Sequence, residues 1–271
     1  MNDIVLAFGL TLLAGLATGL GALIAFFTER TNKKFLSAAL GFSAGVMIYV
    51  SLIEIFFKAK DALTVALGDT KGYWMTVIGF FGGMLFIALI DNFIPTKTNP
   101  HEVKTVEDVH RAEQTHKESE EAKLMKVGIF TALAIGIHNF PEGIATFMSA
   151  IHDPSVGIAI AIAIAIHNIP EGIAVAIPIF YATGKRKKAF KLSFFSGLAE
   201  PVGALVAYLI LLPFLNDVMF GVIFSAVAGI MVFISLDELL PAAKKYDETH
   251  SSIYGLIAGM AVMAVSLILL A

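Results

Sequence analysis

The chain alternates long apolar runs with short polar breaks. The runs lie at roughly 4–27, 35–57, 73–94, 127–150, 155–181, 192–212, 218–241 and 252–271. Each is about 20–27 residues long, which as a helix rising 1.5 Å per residue reaches about 30–40 Å, the thickness of a bilayer's hydrocarbon core. The pattern predicts an all-α membrane protein of eight transmembrane helices, forming a single transmembrane domain over residues 1–271. The first run does not read as a signal peptide. Its leader, Met1-Asn2-Asp3, is acidic, and no small-residue cleavage motif follows it.

Composition agrees with a membrane-embedded chain. Charged residues make up 15% of the sequence, against about 25% in a soluble domain, and mean hydropathy is +0.81. A net charge of −3 offers no basic face, so nucleic acid is not an expected partner. The absence of cysteine excludes disulfides and thiolate metal sites.

Charge in the loops sets orientation. With the N-terminus outside, the inner loops hold Arg30, Lys33 and Lys34; six basic residues between Lys97 and Lys126; Lys185, Arg186, Lys187, Lys188 and Lys191; and Lys244 and Lys245. That is 16 of the 19 basic residues, leaving Lys58, Lys60 and Lys71 outside. The positive-inside rule therefore places both termini outside a cell (inner or plasma) membrane. The inner loop 95–126 is long and polar and carries His101, His110 and His116. It reads as a solvated cytoplasmic linker or as a metal-collecting loop, and its histidine spacing fits no closed metal site.

Two repeats organise the chain. Residues 44–55 (AGVMIYVSLIEI) match 228–239 (AGIMVFISLDEL), and 14–27 (AGLATGLGALIAFF) match 196–209 (SGLAEPVGALVAYL) at nearly the same offset. Spans 1–2 thus resemble spans 6–7. In the proposed topology they run in opposite directions, predicting an inverted repeat of spans 1–3 and 6–8 around central spans 4–5, an architecture of secondary transporters. Packing needs alone also make Gly/Ala-rich membrane helices look alike. The second repeat is shorter. His138-Asn139-Phe140-Pro141-Glu142-Gly143 in span 4 recurs as His167-Asn168-Ile169-Pro170-Glu171-Gly172 in span 5.

The spacing of this motif has chemical consequences. Helical residues four apart share a face, so His138 stacks with Glu142 and His167 with Glu171. Each proline withholds an amide and frees a carbonyl, of Ile137 or Ile166, and broken backbone survives in a membrane only inside protein or beside a polar cavity. Asn139 and Asn168 add neutral oxygens, and Gly143 and Gly172 permit close helix approach.

Within the predicted spans lie Glu54, Asp91, Glu142, Glu171, Glu200, Asp237 and Glu238, and no Lys or Arg. An acid at mid-bilayer costs about 2.5–3.5 kcal/mol. Either some are protonated or a cation supplies the missing charge. Glu142, Glu171 and Glu200 sit nearest mid-span, beside the two motif histidines. Imidazole with carboxylate suits Zn²⁺, Fe²⁺, Mn²⁺ or Co²⁺. Glu54 and Glu238, which are repeat mates, read as pathway mouths or as interfacial acids. Asp91 reads as a helix-end residue, and Met47 and Met231 as packing.

The paired His-Asn-x-Pro-Glu-Gly motifs, the eight spans and the polar loop after span 3 resemble the ZIP (Zrt/Irt-like) divalent metal transporters, and within them a bacterial branch of broad-range importers. The resemblance covers nearly the whole chain. It implies a helical bundle around spans 4 and 5 that moves zinc and related divalent ions toward the cytosol. It places His138, Glu142 and Glu171 in a primary metal site, and Asn139, Asn168 and Glu200 with the two glutamates in an adjacent one. His167 is implied as a ligand or gate. Some relatives carry an acid where Asn168 stands, and here that position is neutral. The resemblance also implies a homodimer.

The sequence therefore predicts a divalent metal transporter, not an enzyme, that carries zinc, and with it iron, manganese, cobalt and cadmium, into the cytosol. The metal is substrate rather than cofactor, the bilayer is the surrounding partner, and the ion leaves through an inner mouth near Asp237 and Glu238. Two other classes share the site: an intramembrane zinc metallohydrolase, which lacks its usual H-E-x-x-H here, and a passive metal channel or sensor.

Overall fold

The computed structural model describes residues 2–25, 33–93, 120–214, 216–245, 247 and 249–270. The predicted loop with His101, His110 and His116 lies outside the described residues, apart from 120–126, which open a helix. Among the described residues all regular structure is helical. The elements are α1 (Asn2–Ala25), α2 (Lys33–Tyr49), α3 (Phe56–Leu67), α4 (Asp69–Phe93), α5 (Glu120–His152), α6 (Pro154–Thr183), α7 (Arg186–Gly197), α8 (Ala199–Val206), α9 (Asp217–Ile234), α10 (Leu240–Lys245) and α11 (Ser251–Leu270). Wider π-helical turns at Val50–Ile55 and Ser235–Leu239 join α2 to α3 and α9 to α10, and another at Ala207–Leu211 extends α8.

Among the described residues, seven helical segments are long and apolar enough to cross a membrane: Asp3–Leu23, Ser37–Leu67, Asp69–Ile90, Pro154–Ile177, Arg186–Phe214, Asp217–Lys244 and Ser251–Leu269. The eighth expected span is α5, whose 33 residues suffice in length. Its apolar run is interrupted by His138, Asn139, Pro141 and Glu142. The chain is a multi-pass helical membrane protein.

Several helices outrun the predicted spans. The second reaches Leu67 rather than residue 57, α5 begins at Glu120 rather than 127, and the sixth begins at Arg186 rather than 192. Hydropathy marks where lipid ends. Helical hydrogen bonds are local and continue into water through good helix formers such as Lys, Glu and Ala. Turn residues set the real ends. Gly68 (φ 82°) and Gly184 (φ 61°) take positive φ after α3 and α6, a backbone that favours glycine, and Gly184 forms a left-handed C-cap. The Asp153 side chain caps α6 by accepting from the Ser155 amide at 2.9 Å, with Pro154 at the first helical position. Bonds from the Ser155 hydroxyl and amide hold the Asp153 carboxyl below its ordinary range.

The helices pack as two groups. One contains α1, α5, α6, α7 and α8, and the other α2, α3, α4, α9, α10 and α11. They meet where α2 lies on α6 and α9 on α5. Outward faces are apolar: Val65, Trp74, Phe86, Leu209 and Ile268 are all exposed.

Candidate metal centre

The two motif copies sit on α5 and α6, which the tight turn at Asp153 makes antiparallel neighbours. Helix continues through Pro141 and through Pro170. The motif glycines fix what packs on them. A Cβ at Gly143 would strike the Glu200 carbonyl oxygen, and one at Gly203 the Phe140 carbonyl, so α5 and α8 touch backbone to backbone. A Cβ at Gly172 would strike the Thr18 carbonyl and one at Gly21 that of Ile169, so α6 and α1 touch in the same way. Side-chain-free contact of this kind is how membrane helices approach most closely. Here it sets Glu200 against the first motif.

Asn139, Glu142, His167, Asn168, Glu171 and Glu200 are all fully buried. The sequence places His167 on one helix face with Glu171, and the structure gives it a partner across the interface as well. His167 Nε2 stands 3.1 Å from Glu142 Oε1, linking the two copies. The Asn168 amide donates to Glu200 Oε1, and also to the Ala14 carbonyl at 3.0 Å. Glu171 Oε1 accepts from the hydroxyl of Ser43 on α2 at 3.1 Å. His138 lies one turn before Glu142 on α5, and its side chain is outside the described set.

Several buried polar atoms here form no hydrogen bond among the described residues: both amide atoms of Asn139, Asn168 Oδ1 and Glu200 Oε2. Oxygens that keep lone pairs in a buried site are ones a cation can use. Among the described residues, no three His, Asp or Glu side chains stand in ligating geometry around one point. The cluster is instead closed on itself through the Glu142–His167, Asn168–Glu200 and Ser43–Glu171 contacts.

The seven span acids therefore separate. Glu142, Glu171 and Glu200 share the centre. Glu54 lies half-buried in a π turn, with Lys58 Nζ 3.9 Å away. Asp237 is exposed and Glu238 half-buried in the matching π turn after α9. The side chain of Asp91 is outside the described set. Sequence reasoning missed Ser43. It is one of three serines in an apolar run, outside the matched repeat, and nothing in its local pattern marks it.

A polytopic helical protein that gathers carboxylates, imidazole and amides at its centre, with no Lys or Arg in its apolar runs, belongs among the membrane proteins that handle cations. The comparisons give that class its family. Residues 94–267 match the family model described as ZIP Zinc transporter. The chain is 78% identical over 269 residues to the zinc transporter ZupT of Lysinibacillus sphaericus, covering 99% of each chain. It is 73% identical to that of Oceanobacillus iheyensis, covering 100% of each, and 61% identical to that of Clostridium perfringens, covering 99% of this chain and 97% of the relative. The chain belongs to the ZIP zinc transporter family. It is a transmembrane zinc transporter and not an enzyme, with zinc as the transported substrate, and the metallohydrolase alternative falls with that assignment.

Proposed function

We propose that the chain carries divalent cations into the cytosol through a site made of His138, Asn139, Glu142, His167, Asn168, Glu171 and Glu200, taking zinc and also iron, manganese, cobalt and cadmium. The observation that carries this reading is the contact between Glu142 and His167, which joins the two motif copies inside a fully buried cluster. Three buried carboxylates with imidazole and amide neighbours match the charge and ligand preference of a borderline dication. Both termini lie outside and the loop 95–126 lies in the cytosol, the orientation that the distribution of basic residues favours. Residues 1–271 act as one transporter domain in the cell membrane and assemble as a homodimer.

The inverted repeat belongs to the same reading, and the helix contacts support it. Gly15 and Gly197, which are repeat mates, each have the other's carbonyl where a Cβ would stand. Gly45 and Gly229, mates of the second pair, rest on the backbones of Leu256 and Phe80. Gly83 and Gly259 rest on Ala226 and Phe42, which extends the correspondence to spans 3 and 8. The π turns at Val50–Ile55 and Ser235–Leu239 occupy equivalent places and hold Glu54 and Glu238. Such symmetry lets one helix group move against the other around a central site.

The test is uptake of radiolabelled Zn²⁺ into proteoliposomes of defined orientation, with Fe²⁺, Mn²⁺, Co²⁺ and Cd²⁺ as competitors. Glu142→Ala and Glu171→Ala abolish uptake while still inserting and folding. Unchanged uptake in both variants removes the site assignment, and competitors without effect restrict the substrate to zinc.

A further inference from the structure

We infer that Ser43 is a positioning residue for transport: from the opposite helix group it holds the Glu171 carboxylate in the empty site, and it passes its hydrogen bond to the His167 carbonyl when a cation takes Glu171. The inference rests on the metal site proposed above and adds to it a residue that the motifs do not contain.

The mounting of Ser43 is rigid. Gly41 and Gly45 lie one helical turn apart, and a Cβ at either would strike α11, at Ser252 and at Leu256. That face of α2 is pressed onto α11. Ser43 stands midway between the two glycines in sequence, about 200° around the helix from each at 3.6 residues per turn, and so points away from α11. It is fully buried and reaches α6. Its Oγ lies 3.1 Å from Glu171 Oε1 and 3.3 Å from the His167 carbonyl oxygen.

Those two distances define the device. A hydroxyl has one proton to donate, and two acceptors on the same turn of α6 lie within its reach. The carboxylate oxygen is the nearer of the two, so it receives the hydroxyl's hydrogen bond while the site is empty. A cation that draws on the Oε1 lone pairs removes that acceptor, and the hydroxyl turns to the carbonyl without Ser43 leaving its place. Ser43 is neutral and its partner is a metal-binding carboxylate, so the bond competes with the cation without replacing it. Because α2 and α6 belong to different helix groups, occupancy of the site changes a bond between the two groups.

Linkage gives the sign. Removing the hydroxyl costs the empty state a strong bond and the loaded state a weaker one, so cation binding tightens and release slows. In Ser43→Ala the zinc dissociation constant, measured on the solubilised full chain, falls roughly three- to tenfold, the share expected of one hydrogen bond. In proteoliposomes KM falls with it and the maximal rate drops by a similar factor. Ser43→Thr, which keeps a hydroxyl at the same atom, restores both. Ser43→Val repeats the comparison in a side chain shaped like threonine, so a folding defect in the alanine variant leaves the test intact. A residue that only shapes the site gives the opposite split, with weaker binding and higher KM. That result, or binding and KM unchanged in both hydroxyl-free variants, overturns the inference. If the wild-type chain transports zinc and Glu171→Ala does not, such a failure concerns Ser43 alone. If Glu171→Ala transports normally, the site itself is wrong.

Discussion

His167 Nε2 and Glu142 Oε1 stand 3.1 Å apart and belong to different copies of the same six-residue motif. The bond that closes the centre is therefore made between two helices. His167→Ala removes a partner of Glu142 in a site where both groups are fully buried. Zinc uptake falls roughly 10–100-fold, the usual effect of losing a group that holds a metal ligand. Stability falls by about 1–3 kcal/mol. His167→Gln keeps an N–H donor and regains most of the stability but little of the transport. Uptake and thermal unfolding of the same preparations check the two effects separately.

Adjacent glycines on α4 have opposite surroundings. A Cβ at Gly82 meets nothing within 4 Å, whereas one at Gly83 runs into the backbone of Ala226 on α9. Gly82→Ala is neutral or stabilises by up to about 1 kcal/mol through helix propensity. Gly83→Ala forces α4 and α9 apart and destabilises by about 1–3 kcal/mol. Melting temperatures of the two purified variants decide the matter, and equal shifts contradict the packing.

Asp247 leads into α11. Its carboxylate accepts from the Ser252 hydroxyl at 2.5 Å and from the amides of Thr249 and Ser251 at 3.0 and 2.8 Å. The Ser252 hydroxyl first, and then these amides, pull its pKa down from 3.8 to about 2. A depressed carboxylate pKa stabilises the folded state above the unfolded value and loses that effect as pH falls through the folded one. Asp247→Ala therefore melts below the wild type near neutral pH. The gap between the two narrows as pH drops from 3.8 toward about 2. A gap independent of pH assigns the effect to the lost side chain rather than its charge.

How far the sequence reaches differs from one feature to the next. The spans are legible because a bilayer imposes one length and one polarity on whatever crosses it. The burial of Glu142, Glu171 and Glu200 is legible for the same reason: each lies near the middle of its run. Helix ends are not, because Lys58, Lys123 and Lys191 leave the lipid without leaving the helix. Partnership inside the site is only half legible. Spacing shows that His167 and Glu171 share a face. That His167 meets Glu142 depends on the relative translation of α5 and α6, which no periodicity encodes. Ser43 is invisible for a related reason, since its meaning comes from a helix about 125 residues away. The glycines are the intermediate case. Gly143 and Gly172 announce a close approach, but only the folded chain shows that Glu200 and Thr18 receive it.

Orientation has a direct check, because the chain contains no cysteine and any introduced thiol is unique. Thr70 lies exposed at the start of α4, and Lys187 lies exposed in the first turn of α7. With both termini outside, Thr70 faces outward. Lys187 faces the cytosol together with Lys185, Arg186, Lys188 and Lys191, the cluster whose charge holds that end inside. In intact cells a membrane-impermeant maleimide labels Thr70→Cys and leaves Lys187→Cys unmodified, and permeabilising the cells exposes the second. Neither position contributes to the buried centre, so both variants retain zinc uptake and report on native protein. The reverse labelling pattern inverts the topology and, with it, the direction in which Glu142 and Glu171 receive their ion. Labelling of both positions in intact cells removes the odd number of crossings between them, the third to fifth spans, and with it the eight-span arrangement.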